Sequence, residues 1–183
     1  QKLLNAFVLS VMPRTAGFNA VDIGQLSPES WLGMDVLMFI GGASGGTAGG
    51  LKITTVAVLL FIVIGEIRSS RAINIGKRRL PRSLHRQALT LLFLYGTILI
   101  GATVLLQLLT EFSTDQVLFE ASSALSAVGL STGITPLLPP SAQVLIMILM
   151  FIGRVGPALV ASSLAVRVGK SFVQYPKERL TIG

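Results

Sequence analysis

The chain has 183 residues, of which 51% are hydrophobic and 13% are charged, and its mean hydropathy is +0.75. Soluble domains carry about 25% charged residues, so this composition argues against a soluble enzyme and indicates a membrane protein. With no cysteine and one histidine, His85, the sequence excludes disulfides and thiol chemistry and argues against sites with several histidine ligands. The net charge of +7 suits a nucleic-acid partner unless the basic residues follow a membrane topology.

The N-terminal part combines a short helix with a long apolar segment. Residues 3–14 are helix-like but too short to cross a bilayer, which needs about 20 residues. Residues 34–65 are long enough, yet they contain six glycines within 41–50. Each glycine in a helix costs about 1 kcal/mol relative to alanine, so we predict a span that is broken in the middle. Trp31, beside the predicted outer end of this span, is interpreted as an interfacial anchor.

A basic segment at 68–87 follows the broken span. This segment and the tail from Arg167 contain eleven of the fifteen lysines and arginines, whereas six of the eight acids lie in the two other connecting regions. By the positive-inside rule, 68–87 and the tail are cytoplasmic and the acidic regions face outward. Topology therefore explains the net charge, and no nucleic-acid partner is predicted. Contact of the basic loop with anionic lipid or a partner protein stays open.

The second half of the chain repeats this pattern behind an additional span. Residues 88–110 form an uncharged span, and 141–166 form a span interrupted only by Arg154. The three spans then run inward, outward and inward. The helix predicted at 114–126 is too short to cross, and both flanking spans have their outer ends beside it. We therefore predict that it enters the membrane and returns as a re-entrant helix.

An internal repeat connects the two halves. The sequence Leu-Met-Phe-Ile-Gly occurs at 37–41 and again at 149–153, so the residue numbers differ by a constant 112. The same offset aligns four further pairs of identical residues: Phe7 with Phe119, Ser10 with Ser122, Gly17 with Gly129 and Leu26 with Leu138. We infer two copies of one unit, which consists of a short helix, a glycine-containing loop, a polar outer segment and an inward span. Such repeats in membrane proteins place a binding site or pore between them.

In each unit the short helix is followed by a loop with a central glycine, at 15–19 and at 127–131. Glycine allows the backbone to turn its carbonyl oxygens toward an axis, where they can replace the hydration water of a cation. The C-terminus of the preceding helix adds negative potential. These features favour cation passage, and the alternative is a pair of ordinary glycine-containing loops.

Four motifs occur in order along the chain, at 13–19, at 39–42 with the glycine-rich run up to Lys52, at 128–133 and at 151–157. Together they resemble the Trk/Ktr/HKT potassium transporter superfamily, most closely the membrane subunits of the Ktr systems. The resemblance extends over essentially the whole chain. It implies an all-α membrane protein with four span–pore loop–span repeats around one pore, re-entrant pore helices and a broken span.

The resemblance also divides the chain. Residues 1–67 correspond to the third repeat from its pore helix onward, 68–87 to the basic cytoplasmic loop, 88–168 to the fourth repeat and 169–183 to the cytoplasmic C-terminal tail. The first copy lacks the span that precedes the second. We therefore expect a fragment of a longer chain, whose N-terminal half supplies the other two repeats.

By position, the resemblance implies a selectivity filter and a gate. The filter residues, which would bind potassium through backbone carbonyls, are Thr15, Ala16, Gly17, Phe18, Asn19, Ala127, Val128, Gly129, Leu130 and Ser131. The gate is implied to be a glycine-rich intramembrane loop that obstructs the pore below the filter, together with an arginine at the same narrow point. Its residues are Gly41, Gly42, Gly45, Gly46, Gly49, Gly50 and Arg154. Ala127 departs from the family, which often has threonine or serine there, so the innermost ion site lacks a hydroxyl.

Arg154 has two interpretations. An arginine at the centre of a span costs about 2.5–3.5 kcal/mol on insertion scales, so we expect it to face protein or water. A cation on the pore axis would repel potassium, which suits a gate. The alternative is that Arg154 bonds to loop carbonyls and only holds the packing.

The resemblance implies potassium uptake across the plasma membrane by a multi-pass, pore-forming subunit, with the loop at 68–87 and the C-terminus in the cytoplasm. No cofactor is expected on this chain; potassium is the substrate and sodium is a candidate activator. The expected partners are the N-terminal half of the same full-length chain, a second copy in a homodimer, a cytosolic nucleotide-binding regulatory ring and the lipid bilayer.

Other classes of function fit the residues less well. Gly45 and Gly50 have the spacing of a phosphate-binding loop, but Leu51 stands where its lysine would be. Hydrolysis lacks a histidine and paired acids in one place, so we do not expect an enzyme. The alternatives are a related monovalent cation channel or transporter with sodium selectivity or coupling, and a non-conducting membrane scaffold.

Overall fold

The computed structural model describes residues 2–18, 21–43, 49–68, 74–75, 78–79 and 82–165, with side chains described at 4–18, 21–43, 49–68 and 84–156. This part of the chain contains six α-helices: α1 (Lys2–Val11), α2 (Pro28–Phe39), α3 (Ile53–Ile67), α4 (Arg82–Leu109), α5 (Thr114–Leu125) and α6 (Pro140–Ala165). A minimal antiparallel pair, β1 (Asn74–Ile75) and β2 (Arg78–Arg79), lies between α3 and α4. The predicted helical class is confirmed. Residues 69–73, 76–77 and 80–81 of the basic loop and the whole tail at 169–183 lie outside the described residues.

α4 contains the clearest candidate for a membrane span. Among the described residues, one helical segment, Leu84–Leu109, is long and apolar enough to cross a bilayer by length and composition. α3 (Ile53–Ile67) is apolar but shorter, and the part of α6 with described side chains, Pro140–Gly156, is also apolar. α4 begins at Arg82, six residues before the predicted span at 88–110. Its first turns therefore belong to the basic segment. The three crossings and their directions stay a prediction.

The helix is interrupted in the glycine-rich region, as the composition predicts. α2 ends at Phe39 and α3 begins at Ile53. Ile40 and Leu51 form a parallel bridge across the base of the interruption. The Ile53 N–H also donates to the Gly42 carbonyl at 3.2 Å. The described parts of the chain on either side of 44–48 are therefore held together.

α5 lies at the centre of the described fold, since it packs against α2, α4 and α6. One buried core joins α4, α5 and α6 and includes Tyr95, Leu106, Val117, Leu125, Ala142, Ile146 and Leu149. A second core joins α2, α5 and the loop after α5 through Ile23, Trp31, Met34, Met38, Phe119, Val128 and Leu130. The loop after α5 is therefore enclosed by protein on one side.

Local chemistry sets the two ends of α5. At its start, the Ser113 hydroxyl accepts the Gln116 N–H at 3.4 Å, and Asp115 in the first turn complements the helix dipole. At its end, Ala127 adopts a left-handed φ of +52°, and the Val128 N–H donates back to the Ser123 carbonyl at 3.0 Å. Between these ends the helix has 12 residues and, at 1.5 Å per residue, is about 18 Å long.

The elements of the first loop-bearing unit recur in the second at the offset of the sequence repeat. The matching first residues are Lys2 and Thr114 for α1 and α5, Ile23 and Thr135 for two 3₁₀ turns, and Pro28 and Pro140 for α2 and α6. One hydrogen bond recurs at the same offset. Ser10 Oγ donates to the Phe7 carbonyl at 2.7 Å. Ser122 Oγ donates to the Phe119 carbonyl at 3.0 Å.

Trp31 lies in the protein core. Its side chain is buried, and its indole N–H donates to the Ile23 carbonyl at 2.8 Å. Met34 and Met38 belong to the same buried cluster. The prediction of an interfacial anchor is therefore wrong, because the 3₁₀ turn before α2 satisfies the indole donor and allows the ring to be buried.

Candidate functional site

Both glycine-containing loops place their first and third residues in the left-handed backbone region. In the first loop, φ is +68° at Thr15 and +67° at Gly17; in the second, it is +52° at Ala127 and +91° at Gly129. Such a φ is unusual for alanine and a true outlier for a β-branched residue such as threonine. Conformations of this kind cost about 1–3 kcal/mol each and concentrate at functional sites.

The two loops lie against each other through their backbones. A Cβ atom built on Gly17 would lie only 2.6 Å from the Val128 carbonyl oxygen. A Cβ built on Gly129 would lie 3.8 Å from the Gly17 Cα. No side chain fits at Gly17 without a shift, so glycine is required where the loops meet. The structure therefore brings together three of the predicted filter residues.

The remaining predicted filter residues differ between the loops. In the second loop, Val128 and Leu130 are buried beside α2, and Gly129 is exposed. In the first loop, Ala16 and Phe18 are exposed. Among the described residues, therefore, the side chains on either side of the central glycine are buried in the second loop and exposed in the first. Asn19 lies outside the described residues.

A buried carboxylate anchors the end of the second loop. Glu120, on α5, is 5% exposed. Its Oε1 accepts bonds from Ser131 Oγ at 2.6 Å, from the Thr132 N–H at 2.9 Å and from Thr132 Oγ1 at 3.1 Å. Its Oε2 accepts a bond from Thr135 Oγ1 at 2.8 Å. Four hydrogen bonds therefore connect the end of this loop and the residues after it to the preceding helix.

Two more polar contacts involve α5. Asp35 of α2 is 8% exposed and accepts a hydrogen bond from Ser122 Oγ at 2.5 Å. Ser123 Oγ donates to the Leu130 carbonyl at 2.6 Å. Sequence reasoning places Asp35 and Glu120 in outward-facing acidic regions. The outward orientation stays a prediction, and the structure adds that both acids lie within helices and are buried against hydroxyl donors. A lone acid among apolar residues is the signal that could have located them.

The described ends of the glycine-rich segment lie beside the start of the second loop. A Cβ on Gly49 would lie 2.6 Å from the Ser126 carbonyl oxygen and 3.1 Å from the Ala127 Cβ. Gly50, with φ at +71°, lies against the Ser126 side chain. The structure thus places Gly49 and Gly50, at the C-terminal end of the glycine-rich segment, next to the C-terminus of α5. The predicted gate residues Gly45 and Gly46 lie outside the described residues.

α6 crosses the C-terminal end of α5 at Gly153. A Cβ on Gly153 would collide with the Leu125 carbonyl. Tyr95 of α4 donates its hydroxyl hydrogen to the Gly153 carbonyl at 3.1 Å. Gly41, at the corresponding position of the first unit, packs instead against the glycine-rich segment. Arg154 follows Gly153 and therefore lies beside this crossing, with an exposed side chain.

Comparison with known proteins agrees with the motifs in these loops. Residues 1–172 match TrkH, a family described as cation transport protein. The chain belongs to the TrkH family. This membership confirms the resemblance that the motifs predict.

Three relatives illustrate the membership of this TrkH-family chain. The Ktr system potassium uptake protein B of Vibrio alginolyticus is 36% identical over 98% of the chain and 39% of that protein. The potassium/sodium uptake protein NtpJ of Enterococcus hirae is 34% identical over 100% of the chain and 42% of that protein. The Ktr system potassium uptake protein B of Bacillus subtilis is 34% identical over 100% of the chain and 41% of that protein.

The TrkH-family chain spans about two fifths of the length of these relatives. This ratio agrees with the expectation that it is part of a longer protein. The relatives are named for ion uptake, which agrees with the prediction that the chain is not an enzyme. A membrane protein of cation transport is the class that the family membership assigns.

Proposed function

We propose that the full-length protein takes up potassium across the plasma membrane as the pore-forming subunit of a Ktr/Trk-type transporter. The observation that carries this proposal is the pairing of the loops at 15–18 and 127–131. Both adopt left-handed backbone at their first and third residues, and their backbones meet at Gly17 and Val128. Backbone carbonyls in such loops can replace the hydration shell of a cation. The loops would be the third and fourth quarters of the filter.

The proposal includes two repeats with re-entrant pore helices. The common offset between α1 and α5, and between α2 and α6, supports the repeat. α1 has 10 residues and α5 has 12, which correspond to about 15 and 18 Å of helix. The hydrocarbon core of a bilayer is about 30 Å thick. Helices of this length support a path that enters the membrane and returns.

The gate of the proposed pore consists of the glycine-rich segment at 41–50 and Arg154. Gly49 and Gly50 lie against Ser126, immediately before the second filter loop. A segment at this position would obstruct an ion that passes the loop toward the C-terminus of α5. Arg154 lies beside the same end of α5, where its positive charge would repel a cation.

The proposed assembly supplies the rest of the pore. α1 packs closely against no other helix in the part of the chain that the structure describes, and it exposes Leu4, Phe7 and Val11. Burial by the N-terminal half of the full-length chain would cover this face. A homodimer with a cytosolic nucleotide-binding ring completes the proposal, with the basic loop at 68–87 and the tail as cytoplasmic docking surfaces.

Ion flux through the full-length protein in liposomes tests the proposed transport. An inside-negative potential of 100 mV supplies about 2.3 kcal/mol per monovalent cation, which corresponds to about fifty-fold accumulation. We expect potassium accumulation to approach this value and sodium accumulation to stay well below it. A folded protein that admits no potassium would overturn the proposal and leave the non-conducting scaffold.

A matched pair of glycine substitutions tests the filter. Gly129 and Gly133 have nearly equal φ, +91° and +93°, so aspartate strains the backbone similarly at both. Only Gly129 lies in the proposed filter. Gly129→Asp should abolish selective potassium uptake, whereas Gly133→Asp should lower the potassium-over-sodium preference much less. Equal potassium-over-sodium preference in the two variants would count against the filter assignment.

The gate has its own test. Arg154→Ala should raise potassium flux severalfold because it removes a positive charge beside the path, and deletion of several residues within 42–49 should make the pore leaky. Arg154→Lys keeps a positive charge at the same position and serves as the control, with flux close to wild type expected. Wild-type flux and regulation in Arg154→Ala would leave only the packing role.

Sodium is the specific alternative, since one relative is named a potassium/sodium uptake protein. Sodium could act as an activator of potassium uptake or as a second permeant ion. Flux measured with each ion alone and with both together separates these cases. Potassium uptake that needs added sodium would establish activation, and sodium accumulation without potassium would establish permeation.

A further inference from the structure

We infer that Glu120 is a positioning residue that sets the conformation of the second loop and, through it, the ion preference of the pore. The buried Glu120 carboxylate accepts four hydrogen bonds from the segment that follows the loop's central glycine. The effect on ion preference rests on the proposed function; the effect on loop conformation does not.

The bonds reach the end of the loop and the residues after it. Ser131 is the last residue of the proposed filter loop, and Thr132 donates through its backbone N–H as well as its hydroxyl. Thr135 completes the network, because its hydroxyl donates to Glu120 Oε2 and its Oγ1 lies 3.0 Å from Ser131 Oγ. One side chain of α5 therefore holds the whole segment by which the chain leaves the loop.

A carboxylate suits this position better than a neutral side chain. Ionised glutamate has two oxygens that only accept hydrogen bonds, and the surrounding groups supply hydroxyl and amide donors. Hydrogen bonds to a charged acceptor are also about twice as strong as neutral ones. Removing the carboxylate would leave the buried Thr132 without acceptors for its donors, which is more costly than never forming the bonds.

The first unit has no equivalent of this network among its described residues. The repeat aligns Glu120 with Val8, which carries no polar group on its side chain. The described bonds at the first loop are backbone turns, such as the Ala16 N–H to the Met12 carbonyl at 3.2 Å. The two loops share left-handed backbone but differ in what holds it. We therefore expect the second loop to be the rigid one, and Glu120 to be the reason.

Three variants of the full-length protein test the inference. Glu120→Leu keeps the side-chain volume and removes every acceptor. Glu120→Gln keeps Oε1 for three bonds, and its amide N–H can donate to Thr135, so it is the conservative variant. Thr135→Val removes one hydroxyl alone and remains informative where Glu120→Leu does not fold. Asp115→Leu is the control, because Asp115 is an exposed acid on the same helix.

Two measurements separate loop conformation from ion preference. Amide hydrogen exchange of residues 127–135 should accelerate at least tenfold in Glu120→Leu and several-fold in Thr135→Val, with little change in Asp115→Leu and Glu120→Gln. The potassium-over-sodium flux ratio should fall at least tenfold in Glu120→Leu, fall less in Thr135→Val, and stay within about threefold of wild type in Glu120→Gln.

Each result has one meaning. Wild-type exchange in folded Glu120→Leu, or in Thr135→Val where Glu120→Leu does not fold, overturns the inference. Faster exchange with an unchanged flux ratio overturns the link to ion preference. A wild-type protein that transports no potassium overturns the proposed function, and the exchange measurement still decides the role of Glu120.

Discussion

Phe7 and Phe119 occupy the same position in the two loop-bearing units, yet Phe7 is 67% exposed and Phe119 is fully buried. Phe18 and Leu130 form a second such pair, at 73% and 3% exposure. In each pair both residues are large and apolar. Nothing in the local sequence therefore explains why one is exposed and the other buried.

Neighbouring helices account for the difference. α5 packs against α2, α4 and α6, whereas α1 has no comparable partner among the described helices. The left-handed backbone at the first and third loop positions is nevertheless the same in both units. The comparison teaches that loop geometry here is local, and that burial and hydrogen bonding of the loop depend on what surrounds the unit.

The largest expected effect is at the matched phenylalanines. Phe119→Ala should lower the unfolding free energy by about 3–5 kcal/mol, because the side chain is completely buried and its removal leaves a cavity. Denaturant unfolding of the full-length protein in detergent measures this loss. A loss below about 1 kcal/mol would contradict the packing of α5.

Phe7→Ala tests whether Phe7 stays exposed in the full-length protein while Phe119 is buried. Since we propose that the N-terminal half covers α1, we expect a loss of at least about 2 kcal/mol in the same unfolding assay. Such a result would make the two units equivalent once assembled. A loss below about 1 kcal/mol would mean that α1 faces lipid.

The matched glycines Gly153 and Gly41 give a smaller effect. Gly153→Ala should lower the unfolding free energy by about 1–3 kcal/mol, because the methyl group would meet the Leu125 carbonyl and force α6 away from α5. Gly41→Ala should instead raise ion leak, since its neighbour is the glycine-rich segment. Unfolding and liposome leak assays measure the two effects.

Gly96→Ala is the control for this pair. Gly96 lies in α4, and a methyl group added there would have no atom within 4 Å. Alanine should therefore be neutral or add up to about 1 kcal/mol through helix propensity. A Gly153→Ala variant as stable as Gly96→Ala would show that α5 and α6 do not meet closely at this point.

The smallest expected effect concerns Tyr95, whose bond anchors the second unit. Tyr95→Phe removes the hydroxyl that donates to the Gly153 carbonyl and should cost about 0.5–1.5 kcal/mol in the unfolding assay. Thr103→Val is the control, because its hydroxyl bonds to Leu99 within α4. If Tyr95→Phe is as stable as the wild type, this hydrogen bond does not contribute to the stability of the second unit.

Much of the helical pattern follows from the sequence. The short helices at 3–14 and 114–126 and the interruption at 41–50 correspond to α1, α5 and the gap between α2 and α3. These features depend on segment length, apolar composition and glycine content, which are local properties. The loops at 15–19 and 127–131 are located in the same way, because a central glycine follows each short helix.

The buried polar residues cannot be predicted in the same way. Sequence reasoning places Asp35 and Glu120 in regions that face outward and Trp31 at the membrane interface, and it does not predict that all three side chains are buried. Their actual positions depend on partners elsewhere in the fold: Asp35 meets Ser122, 87 residues away. No local pattern specifies which helix will supply a donor.

By itself, the sequence determined that this is a helical membrane protein and predicted two loop-bearing units at a fixed offset, because hydropathy, glycine content and repetition are properties of the chain alone. Only the tertiary structure decided that the two loops meet at Gly17 and Val128, and that Glu120 holds one of them. The physical reason is that burial and side-chain hydrogen bonds depend on contacts between elements, whereas helix length and helix breaks depend on the residues within one element.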